Sequence, residues 1–429
     1  MIRLLLAVAL LTLCGESLPA DFSYVNPETV GFSTDRLEKL RDYIRGYVSS
    51  GDVPGASFLL LRHGKIVMFD CSGMADVQRR IPMKRDTIVR IYSQTKLVTG
   101  VALLMLFEEG KWSLNDPITK FVPELGRMRV VKRVAADGSM ELEDLVRPAT
   151  MRELLSHSAG FAYGLNESNP IEAAYAKANF MAAASQTEAI ERIANLPLAY
   201  QPGTHWLYSA AVDIQGYIIE RISGQPLADY MEQRIFGPLS MVDTGFYVPA
   251  EKLSRFAGLS SYDRVTGHLT APSGVLMFDY TKPPAVSSGG AGLVSTARDY
   301  ARFEQALLNG GQLDGVRLLS PAAVQLLGSN QLSEAVRRVP GGPYGVESGI
   351  GHGINIDLIE DPARAGTLVG AGTMMGGGAA GTWYWIDRAN DIVFIGLLQV
   401  MNRWDSPRLV NIDRDSRVLV NAALVRPGS

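Results

Sequence analysis

Hydrophobic and polar positions alternate near both ends of the chain and recur at helical spacing in the middle. Residues 56–61 and 65–69 are strand-like runs joined by a short polar turn, which predicts a tight hairpin. Residues 382–387 and 392–400 are β-rich runs around another polar turn, which predicts a second hairpin. From about residue 111 to 285 the pattern is mostly helical. This distribution predicts one sheet built from the two ends, with a helical region inserted between them.

Helices are predicted where apolar residues recur every three or four positions between a capping residue and a breaker. Ser33 precedes the first amphipathic run and Gly110 follows a long apolar one, as expected of an N-cap and a C-terminal glycine. A charged stretch at 133–147 predicts an exposed hairpin or loop. The predicted helices cover residues 34–48, 93–109, 150–156, 171–196, 210–222, 229–235, 295–309 and 406–425.

Composition sets the size and the surface character of the protein. Its 429 residues are 47% hydrophobic and 20% charged, with a formal net charge of −3. This length is enough to bury a large core and allows two or three domains. Because the charge is nearly balanced and contains no block of like charges, neither nucleic acid nor an anionic membrane surface is expected as a partner.

The first 20 residues form a separate unit. Arg3 is followed by an apolar run at 4–13 and then by small and polar residues. This pattern predicts a secretory signal peptide cleaved after Ser17 or Ala20, because the apolar run is too short to span a membrane. We therefore expect a secreted or periplasmic protein without stable membrane insertion. Removal of the leader would leave Cys71 as the single thiol, so no intrachain disulfide is expected.

Ser93 and Lys96 lie three residues apart at the start of a predicted helix. Side chains at this spacing share one helix face, and a nitrogen base beside a hydroxyl can make it a nucleophile. No other serine in the chain has a lysine three positions later. The residues after Lys96 are unusually apolar, and a lysine at the edge of a buried helix is costly unless it is paired or neutral.

Several common active sites are absent from the sequence. It contains no H-E-x-x-H, no paired C-x-x-C and no P-loop, and its five histidines show no metal-ligand spacing. No serine sits in a G-x-S-x-G elbow, which argues against an ordinary α/β-hydrolase. We therefore expect neither a metal ion nor a cofactor, and a serine nucleophile here would not use a histidine as its base.

Lysine and tyrosine are the alternative bases. Their free pKa values are about 10, so either side chain must be shifted before it accepts a proton near neutral pH. Burial lowers the pKa of a lysine, and a neighbouring cation lowers that of a tyrosine. The members of a Ser–Lys–Tyr cluster can therefore shift one another's pKa values. Tyr208 is the candidate, because it follows a turn and precedes a helix, where a loop can aim its hydroxyl into a cleft. Without further evidence, a tyrosine such as Tyr208 is more commonly a packed aromatic residue than a catalytic one.

Three segments together resemble the serine β-lactamase-like superfamily, and most closely the family VIII carboxylesterases, which are relatives of the class C β-lactamases. Residues 93–96 match the S-x-x-K motif, and Tyr208-Ser209-Ala210 matches the motif Y-x-N or Y-S-x. Residues 376–382 sit where the K-T-G or W-G-G motif belongs. The similarity runs over nearly the whole mature chain, since other recurrent stretches of the family resemble residues 154–160, 238–244 and 288–293.

The resemblance implies an α/β (α+β) fold of the β-lactamase-like kind. An antiparallel sheet flanked by helices would form from both termini, with an inserted, mainly helical subdomain. Residues 21–429 would then be one catalytic domain. Its α/β part would comprise residues 21–110 and 286–429, and its mainly helical part residues 111–285, with the active site between them.

By the same resemblance, Ser93 is the nucleophile that forms an acyl-enzyme, and Lys96 and Tyr208 shuttle its proton. Which of these two is the general base stays open at this point. The backbone N–H groups of Ser93 and Ala379 would hold the oxyanion. Tyr163 would line the acyl pocket, with simple packing as the alternative. The substrate would approach the glycine-rich strand edge formed by Gly376, Gly377 and Gly378.

Two departures from the family pattern bear on the substrate. The lactamases and peptidases of the family carry a cation at the position of Gly376, and its esterases often carry Trp or His there. Ala210 replaces the Asn whose amide would bind a lactam or peptide amide. Both changes favour a neutral ester, so the predicted function is a serine carboxylesterase for short-chain esters. The alternatives are a β-lactamase or D-amino-acid peptidase, an acyltransferase, and a penicillin-recognising sensor that is acylated but not deacylated.

Other residues near these motifs are assigned structural roles. His157 lies between two serines and could act as a base, but hydrogen bonding to nearby loop backbone is the favoured role. Ser287 and Ser288 lack a lysine partner and precede glycines, which is typical of turn residues. The residues expected to pack near the site are Trp206, Trp383 and Tyr384.

Overall fold

An antiparallel sheet of eight strands forms the centre of the computed structural model, which describes residues 22–272 and 276–426. The predicted signal peptide, residues 1–20, lies outside the described residues. In chain order the strands are β1 (Gly55–Arg62), β2 (Lys65–Asp76), β3 (Ile81–Pro82), β4 (Ile350–His352), β5 (Asp357–Ile359), β6 (Thr373–Gly378), β7 (Thr382–Asp387) and β8 (Ile392–Leu397). Their order across the sheet is β4-β5-β6-β7-β8-β1-β2-β3.

The first and last parts of the chain meet where β1 pairs with β8. This pairing is antiparallel and places Leu59 opposite Ile395. The prediction of an antiparallel sheet formed from both termini is therefore confirmed, and both predicted hairpins are present as β1–β2 and β7–β8. Among the described residues, 111–285 contribute no strand to this sheet. The assignment of that range as a separate helical part stays a prediction.

The remaining elements of the described ranges are mainly helices. The α-helices are α1 (Thr34–Ser49), α2 (Thr95–Glu108), α3 (Met151–Leu155), α4 (Pro170–Ala178), α5 (Gln186–Ala194), α6 (Ala211–Ser223), α7 (Leu227–Met231), α8 (Ala297–Leu308), α9 (Pro321–Leu327), α10 (Glu334–Arg337) and α11 (Ile412–Ala423). Short strands outside the main sheet are Val89–Arg90 with Val294–Ser295, Arg129–Val134 with Met140–Asp144, Gln312–Leu313 with Val316–Arg317, and Ser260–Asp263 with His268–Thr270 and Val400–Met401. The 3₁₀ turns include Tyr92–Gln94, Phe180–Ala182 and Arg403–Asp405.

Helices cover both faces of the sheet, because its central strands are apolar on both sides. All eight residues of β1 are buried, and side chains alternate between the two faces of a strand. Leu59 and Leu61 enter the larger hydrophobic core, which also contains residues of α2, α6 and α8. Phe58 and Leu60 enter a second core with α1 and α11. The helix α2, which begins just after Ser93 and carries Lys96, thus lies in the core that covers one face of the sheet.

Several predicted elements differ from the structure. The predicted helix 93–109 begins only at Thr95, and the predicted helix 229–235 is α7 followed by a π-helix at Glu232–Phe236. The predicted helix 171–196 is divided into α4, a 3₁₀ turn and α5, because Asn179 adopts a left-handed φ of 40° that ends α4. The predicted last helix begins at Ile412, since the preceding residues form turns held by the Ser406 hydroxyl. The predicted strand 392–400 ends at Leu397. Within the two described ranges, every helix falls short of the length and apolar character that a membrane span requires.

Candidate active site

Ser93 is held at the junction between an anchored turn and the buried helix α2. Tyr92–Gln94 form a 3₁₀ turn directly before α2. Tyr92 has a φ of 43°, in the left-handed region that non-glycine residues rarely adopt. Its side chain is buried, and its hydroxyl donates to the Leu276 carbonyl at 3.2 Å. Strained backbone of this kind persists where the surrounding structure fixes it, and here it presents the Ser93 side chain to a cavity.

Lys96 is buried and its ammonium group contacts Ser93. The side chain is 3% exposed. Nζ donates to the Gly290 carbonyl at 2.7 Å and to Ser93 Oγ at 3.4 Å. The serine and the lysine therefore lie side by side as predicted, although Ser93 belongs to the 3₁₀ turn and α2 begins only at Thr95. The lysine is also paired, as its burial requires.

A buried carboxylate that the sequence reasoning missed lies behind Lys96. Asp213, in the first turn of α6, accepts hydrogen bonds on Oδ1 from Ser288 Oγ at 2.5 Å and from the Gly290 N–H at 3.1 Å. Burial raises the pKa of Asp213, and the Lys96 charge and these hydrogen bonds oppose that shift. The signal that could have found it is an acidic residue flanked by the apolar Val212 and Ile214 at the start of a predicted helix.

Gly290 links the carboxylate to the ammonium group. Its N–H faces Asp213 and its carbonyl faces Lys96. A Cβ added to Gly290 would lie 2.7 Å from Asp213 Oδ2 and 2.8 Å from the Tyr163 hydroxyl, so this position requires glycine. Ser288, which was predicted as a turn residue, orients Asp213 and also accepts from the Ala291 N–H at 3.0 Å.

The Tyr208 hydroxyl completes the group around Ser93. It donates a hydrogen bond to Ser93 Oγ at 2.7 Å. Lys96 Nζ lies 4.6 Å from the centre of the Tyr208 ring, a distance at which a cation is attracted to the ring face. The three side chains that the motifs singled out are thus brought together. A hydroxyl contacted by an amine and a phenol can act as a nucleophile toward a carbonyl.

His157 fixes the loop that carries Tyr208. The Leu207 N–H donates to the His157 carbonyl at 2.9 Å, and the Ser209 N–H donates to His157 Nδ1 at 3.2 Å. The His157 ring stacks on the Tyr208 ring, with centres 5.0 Å apart and 27° between the planes. Burial holds the pKa of His157 well below its ordinary value, so the ring is neutral. The predicted bonding of His157 to loop backbone is therefore confirmed.

The glycine-rich end of β6 lies against the Ser93 turn. A Cβ added to Gly378 would lie 2.2 Å from the Ile91 carbonyl oxygen, so only glycine permits this approach. A Cβ added to Gly376 would lie 2.8 Å from the Tyr384 hydroxyl, which belongs to the residue paired with Gly376 in β7. Tyr384 therefore covers the space beside Gly376, as expected of a residue that packs near the site.

A cavity of about 340 Å³, called the wide cavity below, borders Ser93. Tyr163 lines it, with its ring centre 5.1 Å from Lys96 Nζ. Burial raises the pKa of Tyr163 well above its ordinary value, so it remains a neutral phenol. The other predicted site residues in its wall are Tyr208, Gly376, Gly377, Gly378 and Ala379, and its apolar lining includes Leu165, Leu276, Met375 and Trp404.

A second cavity of about 200 Å³, called the histidine cavity below, adjoins the wide cavity. The residues that line both are Ser93, Tyr208, Asp357, Met375, Gly376 and Gly377. Its other lining residues include Lys96, His157, Trp206, Tyr344, His352 and Tyr384. In the part of the chain that the structure describes, no group of three or more His, Cys, Asp or Glu side chains is placed to hold a metal ion. Ser93 therefore stands where two cavities of different lining meet.

Comparisons with known proteins find relatives over most of the chain. Residues 40–421 match the family model described as Beta-lactamase. The chain is 37% identical to an uncharacterized protein of Mycobacterium tuberculosis over 365 residues, which cover 83% of this chain and 88% of that protein. It is 33% identical to esterase EstB of Burkholderia gladioli over 357 residues, covering 78% and 83%. Among solved structures, EstCE1, a hydrolase with promiscuous acyltransferase activity, matches with a TM-score of 0.72 at 24% identity, covering 89% of this chain and 98% of that one.

Proposed function

The chain belongs to the β-lactamase family and is a serine hydrolase, and from this premise we propose that it hydrolyses short-chain carboxylic esters through an acyl-enzyme on Ser93. The observation that carries the proposal is the contact of the Ser93 hydroxyl with both Tyr208 and Lys96. Within the superfamily we place the chain among the family VIII carboxylesterases, because its three motifs and its likeness to esterase EstB support that position.

Acylation in this proposal begins with attack of Ser93 Oγ on the ester carbonyl carbon. The Ser93 proton passes to the Lys96–Tyr208 pair, which accepts it in the form that holds one proton fewer than an ammonium and a phenol together. The polar atoms of the pair lie 3.4 Å and 2.7 Å from Oγ. The backbone N–H groups of Ser93 and Ala379 stabilise the negative charge on the carbonyl oxygen. As the bond to the alcohol oxygen breaks, the pair returns the proton to the departing alkoxide, and the acyl group remains on Ser93.

Deacylation reverses the roles of the same groups. Water attacks the acyl carbon, the Lys96–Tyr208 pair accepts its proton, and the bond to Ser93 Oγ breaks as that oxygen regains a proton. The products are a carboxylic acid and the free enzyme. No other residue has to change its protonation state, because His157 is neutral and Tyr163 stays protonated as a result of burial.

A neutral ester is the substrate that these surroundings favour. The group beside Gly376 is the Tyr384 hydroxyl rather than a cation. Ala210 is fully buried and its N–H donates to the Ala162 carbonyl, so this position offers no side-chain amide to a lactam. The charged side chains that line the wide cavity are two arginines and two aspartates, Arg403, Arg417, Asp357 and Asp413, which leaves no net charge.

Hydrolysis of p-nitrophenyl butyrate tests the proposal. We expect turnover by the wild type and its loss in Ser93→Ala, and we expect turnover of nitrocefin to be much slower. Ser139→Ala, in the exposed turn of the 129–144 hairpin, is the matched control and should behave as the wild type. Ester turnover that survives in Ser93→Ala would overturn the proposal. Nitrocefin turnover above ester turnover would instead identify a β-lactamase.

Acyl transfer is a second candidate, because EstCE1 combines hydrolysis with acyltransferase activity. The same assay in the presence of an alcohol distinguishes the two by product analysis. A new ester would indicate acyl transfer, whereas butyric acid alone indicates hydrolysis. A stable acyl adduct on Ser93 without release of acid would identify a penicillin-recognising sensor.

Export from the cytoplasm is also proposed, on the pattern of residues 1–20. N-terminal sequencing of the protein recovered from the periplasm or the culture medium would then begin at Leu18 or Asp21. Recovery of the full-length chain from the cytoplasm alone would contradict this proposal.

A further inference from the structure

We propose that the histidine cavity is the subsite for the alcohol part of the ester and that it selects an alcohol carrying a second hydroxyl group. The inference rests on the proposed esterase function and names its substrate class, which is short-chain esters of small diols or polyols. It is carried by two buried nitrogen atoms in the walls of this cavity, Trp206 Nε1 and His352 Nε2.

The placement of the reacting groups assigns the two arms of the ester to the two cavities. Ala379, whose N–H would hold the oxyanion, lines the wide cavity. Of the two residues that would return a proton to the departing alkoxide, Tyr208 lines both cavities and Lys96 lines the histidine cavity. A general acid must lie within hydrogen-bond reach of the atom that it protonates. The alcohol arm therefore extends into the histidine cavity, and the acyl arm remains in the wide cavity.

Both nitrogen atoms lack a hydrogen-bond partner among residues 22–272 and 276–426. Buried polar groups in proteins are normally hydrogen-bonded, so two such atoms in one cavity indicate a missing partner. The His352 side chain is 4% exposed, and its ring centre lies 5.8 Å from that of Trp206. The two rings are therefore neighbours in the wall of the histidine cavity.

The two nitrogen atoms have opposite hydrogen-bond roles. The Trp206 indole N–H is a donor only. His352 Nδ1 lies 3.0 Å from Asp357 Oδ1, an acceptor to which the Tyr344 hydroxyl also donates at 2.6 Å. In the tautomer that carries its proton on Nδ1, the His352 ring presents a lone pair on Nε2. A hydroxyl group both donates and accepts, so it can satisfy both atoms, whereas an alkyl chain satisfies neither.

The size of the cavity limits the alcohol. Its volume is about 200 Å³. A water molecule takes a share of about 30 Å³ in the liquid, so the cavity holds roughly six non-hydrogen atoms. Gly376 adds no side chain to this space, and Tyr384 adds a polar rim. A two- or three-carbon diol or triol fits these limits.

The kinetic test compares 2-hydroxyethyl butyrate with propyl butyrate, which differ only in a terminal hydroxyl against a methyl. Alkyl esters are needed because p-nitrophenolate departs without a proton. We expect kcat/KM of the wild type to favour the hydroxyethyl ester by about tenfold, since a buried polar group left without its partner has an effect of that order. Trp206→Phe should bring this ratio close to one. Trp404→Phe, the same substitution in the wide cavity, should leave the ratio unchanged.

Equal values of kcat/KM for the two esters in the wild type would overturn the proposal, as would a preference that survives Trp206→Phe. A crystal structure of Ser93→Ala with 2-hydroxyethyl butyrate tests the subsite without turnover. We expect the terminal hydroxyl between Trp206 Nε1 and His352 Nε2. A hydroxyethyl group in the wide cavity, or water alone in the histidine cavity, would overturn the proposal. If the terminal hydroxyl is bound as expected but the wild type hydrolyses neither ester, the esterase function is refuted and the subsite is supported.

Discussion

The Tyr208 hydroxyl lies 2.7 Å from the Ser93 hydroxyl, although 115 residues separate the two in sequence. Lys96 approaches the same oxygen only to 3.4 Å and makes its shorter hydrogen bond, of 2.7 Å, to the Gly290 carbonyl. Distance therefore favours Tyr208 as the group that exchanges a proton with Ser93. In that arrangement Tyr208 accepts the proton as a phenolate, and the Lys96 ammonium stabilises the negative charge of that form.

Tyr208→Phe removes the hydroxyl and keeps the ring that stacks on His157. We expect kcat for p-nitrophenyl butyrate to fall by about 10³-fold, with KM little changed, because general acid–base groups contribute about that much. Steady-state kinetics measure both constants. A kcat within threefold of the wild type would show that Lys96 alone handles the proton.

Lys96→Met tests whether the amine and the phenol act as one unit. Groups that work together are strongly non-additive, so the Lys96→Met/Tyr208→Phe double variant should be about as slow as the slower single variant. If the two losses in kcat multiply instead, the residues act independently and the proposed pair is wrong.

His157→Phe tests the positioning of Tyr208. The substitution keeps an aromatic ring but removes the Nδ1 atom that accepts from the Ser209 N–H. We expect kcat to fall by about tenfold to a hundredfold, since small displacements of a reacting group have effects of that size. His157→Asn, which can still accept a hydrogen bond, should recover part of the loss.

The pH dependence of kcat separates positioning from proton transfer at His157. Burial holds the pKa of His157 well below its ordinary value, so the ring stays neutral between pH 6 and 8. The wild-type profile should therefore show no step from this residue in that range. A step that is present in the wild type and lost in His157→Phe would identify His157 as a titrating base.

Asp213→Ala tests the hydrogen-bonded connection from Asp213 through Gly290 to Lys96. The change leaves the Ser288 hydroxyl and the Gly290 N–H without their buried acceptor. We expect the free energy of unfolding to fall by about 2–3 kcal/mol and kcat to fall with it, because Gly290 no longer holds Lys96 in place. Asp213→Asn keeps one acceptor oxygen and should be less severe. Urea denaturation and ester kinetics measure the two effects, and an unchanged stability would contradict this account.

Local patterns in the sequence could place Ser93 beside Lys96, because a three-residue spacing on a helix fixes the relative position of two side chains. The hairpins β1–β2 and β7–β8 followed from local alternation for the same reason. Tyr208 is different. Only the resemblance to a family connected it with Ser93, since no local pattern reports a contact across 115 residues.

The link through Gly290 and the histidine cavity could not be predicted in this way. Asp213 and Gly290 are 77 residues apart, and their contact joins a helix to a loop. The histidine cavity is assembled from several separate segments, which include His157, Trp206 and His352. Each of these residues has an ordinary packing role when it is considered alone. Their common site appears only when the fold brings the segments together.

Asp299 should make stability depend on pH in a direction opposite to that of most carboxylates. It is 1% exposed, at the start of α8, and its Oδ2 accepts from the Asp243 N–H at 2.6 Å and from Thr244 Oγ1 at 3.2 Å. Burial raises the pKa of Asp299 to about 6 from its ordinary value of 3.8. Between these two pH values the folded state binds the extra proton. The contribution of Asp299 to stability is therefore present below pH 3.8 and is lost as the pH rises through about 6.

Asp299→Asn removes this titration. The shift of about two pKa units corresponds to about 3 kcal/mol, so the stability of the variant relative to the wild type should rise by about that amount between pH 4 and pH 7. Urea denaturation of both proteins at the two pH values measures the difference. Asp279→Asn is the control, because a hydrogen bond from the Thr281 side chain lowers the pKa of the exposed Asp279 to about 2, and its titration is complete below pH 4. An equal response of the two variants would show that Asp299 does not titrate in this range.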